Sequence, residues 1–236
     1  MQSENKQIAR NLIFNIISFG VNIFISLFFT PYLIRTLGKE AYSFFPLVNN
    51  IINFNNILTA AVGSMAGRFI TMKFYKNDIE GANQYFNSIW VANIVLSIFF
   101  TIVSIFAIVF IANILTVPDI LLTDVRLMFV FSAAAMIIGL LTGMFGLGTF
   151  VKNRVDLQSG ISVITHIVRV IAIILLFYFL SPTIVFMSLS GFISALVGMY
   201  FNLSFKKRLL PELSFSPVKY FNWKDFAANV NFRITA

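Results

Sequence analysis

Long apolar segments separated by short polar ones dominate this sequence. Six windows supply the run of about 20 mainly apolar residues that a helix needs to cross a bilayer. These windows are residues 11–34, 42–66, 87–114, 127–150, 159–180 and 183–204. Their apolar positions do not alternate with a period of two, which argues against a transmembrane β-barrel. The pattern predicts an all-α integral membrane protein with six transmembrane helices.

The basic residues between these windows predict the orientation of the helices. The larger set flanks one side of the predicted spans and comprises Lys6, Arg10, Arg68, Lys73, Lys76, Lys152, Arg154, Lys206, Lys207, Arg208, Lys219 and Lys224. The smaller set flanks the other side and comprises Arg35, Lys39 and Arg126. Because cytoplasmic loops carry the excess of Lys and Arg, the bias predicts a cytoplasmic N-terminus.

The same pattern predicts three regions. Residues 1–204 form a six-helix transmembrane lobe, and residues 205–225 form a basic, aromatic cytoplasmic loop that touches anionic lipid. Residues 226–236 begin like a seventh span, but a helix of that length reaches only about 16 Å, roughly half of the hydrocarbon thickness. We therefore expect the chain to be a fragment of a longer protein.

Composition excludes several classes of protein. Hydrophobic residues make up 58% of the chain and charged residues 11%, too few charges to cover a soluble enzyme or a nucleic-acid-binding domain. The chain has no Cys and one His, so we expect no disulfide, no metal site and no cofactor. The sequence contains no phosphate-binding loop, nucleophile elbow or pair of carboxylates, so we do not expect an enzyme.

Polar residues inside the spans are the candidates for function, because they are costly in hydrocarbon. In the first span, polar residues recur every three or four positions and share one helical face: Asn11, Asn15, Ser18, Asn22 and Ser26. The second span carries Asn49, Asn53 and Asn56 on one face. These amides predict the wall of a wet cavity that binds a hydroxyl-rich solute. The alternative is that they join helices by hydrogen bonds.

The fifth span carries His166 and Arg169, which share a face. Arg169 lies about 15 Å into the span, near the midplane. No Asp or Glu occurs inside the six spans, so the cation predicts an anionic ligand, such as a phosphate or a uronic acid. The alternatives are bonds to backbone carbonyls or pairing with another part of the protein, and His166 fits a packed neutral side chain equally well. The predicted substrate-binding residues are Asn15, Asn22, Asn49, Asn53, Asn56, His166 and Arg169.

Two stretches carry a distinctive set of residues. The first stretch follows the first span and carries Pro31, Arg35, Leu37, Gly38, Glu40 and Tyr42. The second comprises Gly67-Arg68, the stretch from Asp78 to Asn83, and Phe86-Asn87-Ser88. Together they resemble the polysaccharide flippases, the O-antigen and capsule flippases of the multidrug/oligosaccharidyl-lipid/polysaccharide exporter superfamily. One departure is Ser43, where such flippases commonly carry Gly.

The resemblance implies a MATE-like fold, in which two six-helix lobes face each other across a cavity and this chain is the N-terminal lobe. It also implies a function, moving an undecaprenyl-pyrophosphate-linked oligosaccharide across the bacterial cytoplasmic membrane for polysaccharide export. Its partners would be the lipid-linked substrate, membrane lipid, a polysaccharide polymerase and glycosyltransferases, and not nucleic acid. Two alternatives stay open: a MATE-type drug/cation antiporter, and a non-transporting membrane scaffold of polysaccharide assembly.

Overall fold

The computed structural model describes residues 2–220, except for the side chains of residues 2–4, 51–52, 54–66 and 218. Every regular element in this part of the chain is helical. The helices are α1 (Gln2–Leu37), α2 (Lys39–Tyr75), α3 (Ile79–Val109), α4 (Ile111–Ile114), α5 (Leu122–Gly143), α6 (Leu147–Val151), α7 (Val155–Phe179), α8 (Val185–Leu209) and α9 (Pro217–Tyr220). The predicted seventh-span start, 226–236, lies outside the described residues.

Within the described residues, five helical stretches are long and apolar enough to cross a membrane. They are Asn5–Leu37, Ile79–Val109, Asp119–Val151, Val155–Phe179 and Val185–Leu209. They correspond to the predicted first, third, fourth, fifth and sixth spans. The backbone of α2 is helical across the predicted second span, 42–66, but most side chains there lie outside the described residues, so that span stays a prediction.

Two predicted spans are interrupted. The third was expected to reach residue 114, but α3 ends at Val109, and the chain turns at Phe110 into α4, which buries Ile111 against Val125 and Ile184. The fourth was expected as one helix over 127–150. Instead a 3-10 turn, Met144–Gly146, separates α5 from α6. Just after this turn, Gly148 lies close to α8, and a Cβ added to it would lie 3.3 Å from the Lys206 Cα.

Apolar side chains form cores at both ends of the bundle. At the end where α1 begins and α8 ends, here called the basic end, Phe86, Ile89, Met144 and Leu213 are fully or almost fully buried in one cluster. Two further clusters, around Val125 and around Met187, fill the opposite half of the bundle. A polar cavity lies among the middle parts of the helices, between these cores.

Helix α1 packs less closely than the other helices. It contacts α7 and, less extensively, α2. Large apolar side chains along it are exposed, including Phe19 at 70% and Phe28 at 66%. Gly38 separates α1 from α2. Its φ of +83° is a backbone conformation that glycine adopts without steric cost. The two helices therefore follow each other with a single intervening residue.

Candidate functional site

A cavity of about 510 Å³ opens among α2, α5, α7 and α8, with one residue of α1 at its edge. A second cavity of about 230 Å³ continues from it along α1 and is bordered by Ser26, Thr30 and Tyr42, among others. The two share six lining residues, Asn22, Phe45, Asn49, His166, Arg169 and Met187. We call the two together the polar cavity.

Helical periodicity brings the polar side chains to this cavity. On α7, His166 and Arg169 are three residues apart and therefore lie on one face. On α2, Asn49 and Asn53 are four residues apart and do the same. Asn22 approaches from α1. Five of the seven predicted substrate-binding residues thus lie together, although they come from three separate helices.

Arg169 is a cation for which the described part of the chain supplies no counter-charge. Its guanidinium carbon lies 5.3 Å from the centroid of the Phe45 ring, close enough for a cation–π interaction. No ion pair or hydrogen bond joins it to another described residue. The ring orients the guanidinium within the cavity but does not neutralise it. An anionic group that entered the cavity would supply the missing charge.

The amides of the cavity also keep free hydrogen-bonding capacity. Within the described part of the chain, Asn22, Asn49 and Asn53 make no side-chain hydrogen bond to another residue. The hydroxyls on the opposite wall are engaged, because Ser188 accepts a bond of 2.8 Å from Ser132, which joins α8 to α5. The cavity therefore presents amide donors and acceptors beside one cation.

Asn15 does not line the cavity. Its side-chain oxygen accepts a hydrogen bond of 2.6 Å from the Ser159 hydroxyl, which ties α1 to α7 nearer the basic end. One turn earlier, the Asn11 side-chain oxygen accepts a bond of 2.9 Å from the Asp156 backbone amide. The polar stripe of α1 is thus divided between helix contact and cavity. The side chain of Asn56, the remaining predicted residue, lies outside the described residues.

Asp156 is the centre of this contact. Its side chain is 1% exposed and pairs with Arg10 and Arg154, each at 3.0 Å. The Gln7 amide donates a further bond of 3.0 Å to it. We call the bonded set on α1 and at the start of α7 the α1–α7 clasp, which comprises Gln7, Arg10, Asn11, Asn15, Asn153, Arg154, Asp156 and Ser159.

Sequence reasoning missed the cavity's contribution from α5 and α8. Gly139 and Gly191 line it, and an added Cβ at either position would meet no other atom within 4 Å. They therefore open space instead of allowing close helix packing, unlike Gly148. The spacing of small residues on α8, with Ser188, Gly191 and Ser194 on one face, was the signal available in the sequence. Within the described residues, no three His, Asp or Glu side chains are grouped so that they could hold a metal ion.

Comparison with known proteins identifies one informative relative. The chain is 30% identical, over 201 residues, to the uncharacterized membrane protein EpsK of Bacillus subtilis strain 168. The matched region covers 85% of this chain and 40% of that relative, so the chain spans about two fifths of the relative's length. No protein-family model matches the chain. No solved structure matches it either. Together with its apolar helices, this relationship establishes a multi-pass, all-α membrane protein.

Proposed function

We propose that this chain is the N-terminal six-helix lobe of a MATE-like flippase in the bacterial cytoplasmic membrane, with its N-terminus in the cytoplasm. The substrate is an undecaprenyl-pyrophosphate-linked oligosaccharide that is moved to the outer leaflet for polysaccharide export. The lobe transports and does not catalyse, and it works beside glycosyltransferases and a polysaccharide polymerase. The observation that carries this proposal is the polar cavity, in which no described residue supplies a counter-charge to Arg169 or a side-chain hydrogen bond to Asn22, Asn49 and Asn53.

The chemistry of the cavity suits the two polar parts of such a substrate. Asparagine amides both donate and accept, as sugar hydroxyls do, and would bind them without net charge. A guanidinium binds phosphate or carboxylate through charge-assisted hydrogen bonds, which are stronger than those between neutral groups. Arg169 would therefore hold the pyrophosphate or an acidic sugar, while Asn22, Asn49 and Asn53 would hold neutral hydroxyls.

The size of the cavity limits what this lobe binds. Small-molecule sites occupy about 300–1,000 Å³, and the larger cavity, at about 510 Å³, falls in that range. It accommodates a head group or a sugar residue, and not a whole oligosaccharide with its lipid. In a two-lobed transporter, the remainder of the substrate would lie between the lobes, where substrate sites of such transporters are usually found.

The absence of acidic residues favours this substrate over a cationic drug. No Asp or Glu occurs between residues 11 and 34 or between residues 41 and 67, and the cavity's described lining contains none. A cationic drug and a coupling cation would both require a counter-charge that this lining lacks. An antiporter would have to supply that carboxylate from another part of the protein.

The test is genetic complementation with a leaflet-specific readout. The gene is deleted in its host, and the deletion strain is complemented with the wild-type gene, with Arg169→Met or with Arg126→Met. The lipid-linked oligosaccharide in each leaflet is then quantified by labelling intact and permeabilised cells. Arg126→Met is the matched control, because Arg126 is an exposed cation at the other end of the bundle. Since a hydrogen bond to a charged group contributes about 1.5–3 kcal/mol, Arg169→Met should slow translocation roughly tenfold or more.

Three results would contradict the proposal. Equal translocation by Arg169→Met and Arg126→Met would show that the cavity cation does not act on the substrate. Normal translocation after deletion, with loss of an assembly of polysaccharide enzymes, would favour the scaffold. Proton-driven efflux of a cationic dye that depends on this gene would favour the antiporter.

A further inference from the structure

The polar cavity contains one side chain that changes charge near neutral pH. His166 is the chain's single histidine, and it lines both parts of the cavity. Arg169 lies three residues further along α7, at the spacing that brings Cβ atoms within about 5–6 Å of each other. Histidine is the side chain whose ordinary titration falls between pH 5 and 8. Its protonation would therefore place a second positive charge beside the Arg169 guanidinium.

The groups that face His166 from the neighbouring helices are almost all neutral. From α7 itself, the other charged group is Arg169, and from α2 the titratable group is the Tyr42 phenol. From α1, α5 and α8 the described lining contributes Asn22, Ser26, Thr30, Ser132, Ser188 and Ser194 beside apolar residues. The sequence places no Asp, Glu, Lys or Arg at residues 11–34 of α1, 41–67 of α2, 127–143 of α5 or 185–205 of α8.

These surroundings couple the charge of His166 to the occupancy of the site. While the cavity holds no anion, a protonated imidazole would be a second positive charge beside the guanidinium, and the described lining contains no carboxylate to balance the two charges. An anionic group bound at Arg169 reverses the local field and favours the imidazolium, which also donates a hydrogen bond to it. Coupling between two binding events is reciprocal, so protonation must strengthen anion binding as much as the anion strengthens protonation.

We infer that the polar cavity takes up a proton together with its anion, with the anion on Arg169 and the proton on the His166 imidazole. The inference rests on the proposed function in one respect, that Arg169 binds the anionic group of the substrate. The proton comes from solvent, occupies the free ring nitrogen, and returns to solvent when the anion leaves. A site whose described lining holds no carboxylate thus couples anion binding to pH.

The anion could belong to a lipid head group or to a soluble ion, since both present a negatively charged oxyanion. Two preparations of the full chain distinguish these sources. In the first, nanodiscs of phosphatidylcholine receive sodium sulfate, a dianion that does not titrate between pH 5 and 8. In the second, nanodiscs contain phosphatidylglycerol, whose phosphate diester stays singly charged over the same range. The single histidine gives one imidazole NMR signal, so its titration reports His166 alone.

In the expected result, an anion moves the His166 titration curve to higher pH. Sulfate should also bind about tenfold more tightly at pH 5.5 than at pH 8.0, within the 5- to 150-fold range of typical couplings. Arg169→Gln should abolish both effects. His166→Gln should retain sulfate binding but lose its pH dependence. Arg126→Gln removes an exposed cation outside the cavity and should retain both. A shift with sulfate alone identifies a soluble anion, and a shift with phosphatidylglycerol identifies a lipid phosphate.

The remaining outcomes overturn the inference in distinguishable ways. Arg169-dependent binding that leaves the His166 titration curve unmoved would refute the coupling and leave the proposed anion site intact. Absence of binding in both preparations at every pH would refute the anion site and the coupling together. Because the NMR titration uses the wild-type chain, the coupling is tested even where a variant fails to fold.

Discussion

Replacing Asp156 by asparagine should loosen the bundle where α1 meets α7. The Asp156 carboxylate is 1% exposed, and it accepts bonds from two guanidiniums and from the Gln7 amide. Asparagine has nearly the same shape, so the packing is preserved while the charge is removed. Both Arg10 and Arg154 would then lose their counter-charge in the α1–α7 clasp.

The size of the effect follows from the exposure of the partners. Breaking a fully buried ion pair by removing one partner costs about 3–5 kcal/mol. The Arg10 and Arg154 side chains are 52% and 31% exposed, so water screens them partly when the carboxylate is lost. We therefore expect Asp156→Asn to lower the free energy of unfolding by about 2–3 kcal/mol. Arg10→Gln removes the more exposed partner and should cost about 1 kcal/mol or less.

The assay is unfolding of the purified chain in dodecyl maltoside micelles by increasing mole fractions of sodium dodecyl sulfate, followed by helical circular dichroism. Asp119→Asn is the matched control, because it makes the same chemical change at an exposed site and should cost less than about 0.5 kcal/mol. The reasoning fails if Asp156→Asn is as stable as Asp119→Asn. It also fails if Arg10→Gln costs as much as Asp156→Asn, because exposure would then not set the energy.

Three further predictions concern other parts of the fold. The Asn87 side chain donates a hydrogen bond to one backbone carbonyl of the segment after α8 and accepts one from a backbone amide of that segment. Asn87→Ala should therefore lower the free energy of unfolding by about 1–3 kcal/mol and speed tryptic cleavage at Lys219, and unchanged cleavage would contradict this. In the same unfolding assay, Gly148→Ala should lower the free energy of unfolding by about 1–3 kcal/mol, because α8 is in close contact with Gly148. Gly139→Ala should not lower it, because the added methyl group meets open space. A hydrogen bond from the Lys73 ammonium, and then one from a backbone amide, lower the pKa of the Asp78 carboxyl. The ionised carboxylate therefore stabilises the fold at pH values above the ordinary Asp pKa, and this stabilisation is lost as pH falls through the lowered pKa. The free energies of unfolding of Asp78→Ala and wild type should differ at pH 7 and converge in acid.

Much of the architecture followed from the hydrophobic pattern, and its limits have physical causes. Five predicted spans correspond to helices because each contains an apolar stretch that must be buried in lipid or protein. The breaks at Phe110 and at Met144–Gly146 lie inside apolar sequence, where hydropathy alone gives no boundary. Each break coincides with a tertiary contact, the burial of Ile111 and the close approach of Gly148 to α8, which the hydrophobic pattern does not contain.

The candidate site, too, could be predicted from the sequence only in part. Helical spacing correctly placed His166 and Arg169 on one face of α7, and Asn49 and Asn53 on one face of α2. It could not separate Asn15 from Asn22, because both lie on the polar stripe of α1. Which of them meets a partner depends on how α1 crosses α7, and that crossing is set by the whole bundle. The contribution of Gly139 and Gly191 was equally hidden, since glycine serves both close packing and open space.

The division of the α1 stripe has a consequence for substitutions along it. At the basic end, Asn11 and Asn15 hold α1 to α7 through the clasp, whereas further along the helix Asn22 borders the cavity without a partner among the described residues. Further along α1, Leu33 is buried in one cluster with Ile173 and Phe177 of α7, so Asn22 lies between two parts of α1 that contact α7. A substitution in the clasp should therefore lower stability and affect transport through the fold. A substitution at Asn22 should spare stability and change only how the cavity receives its ligand.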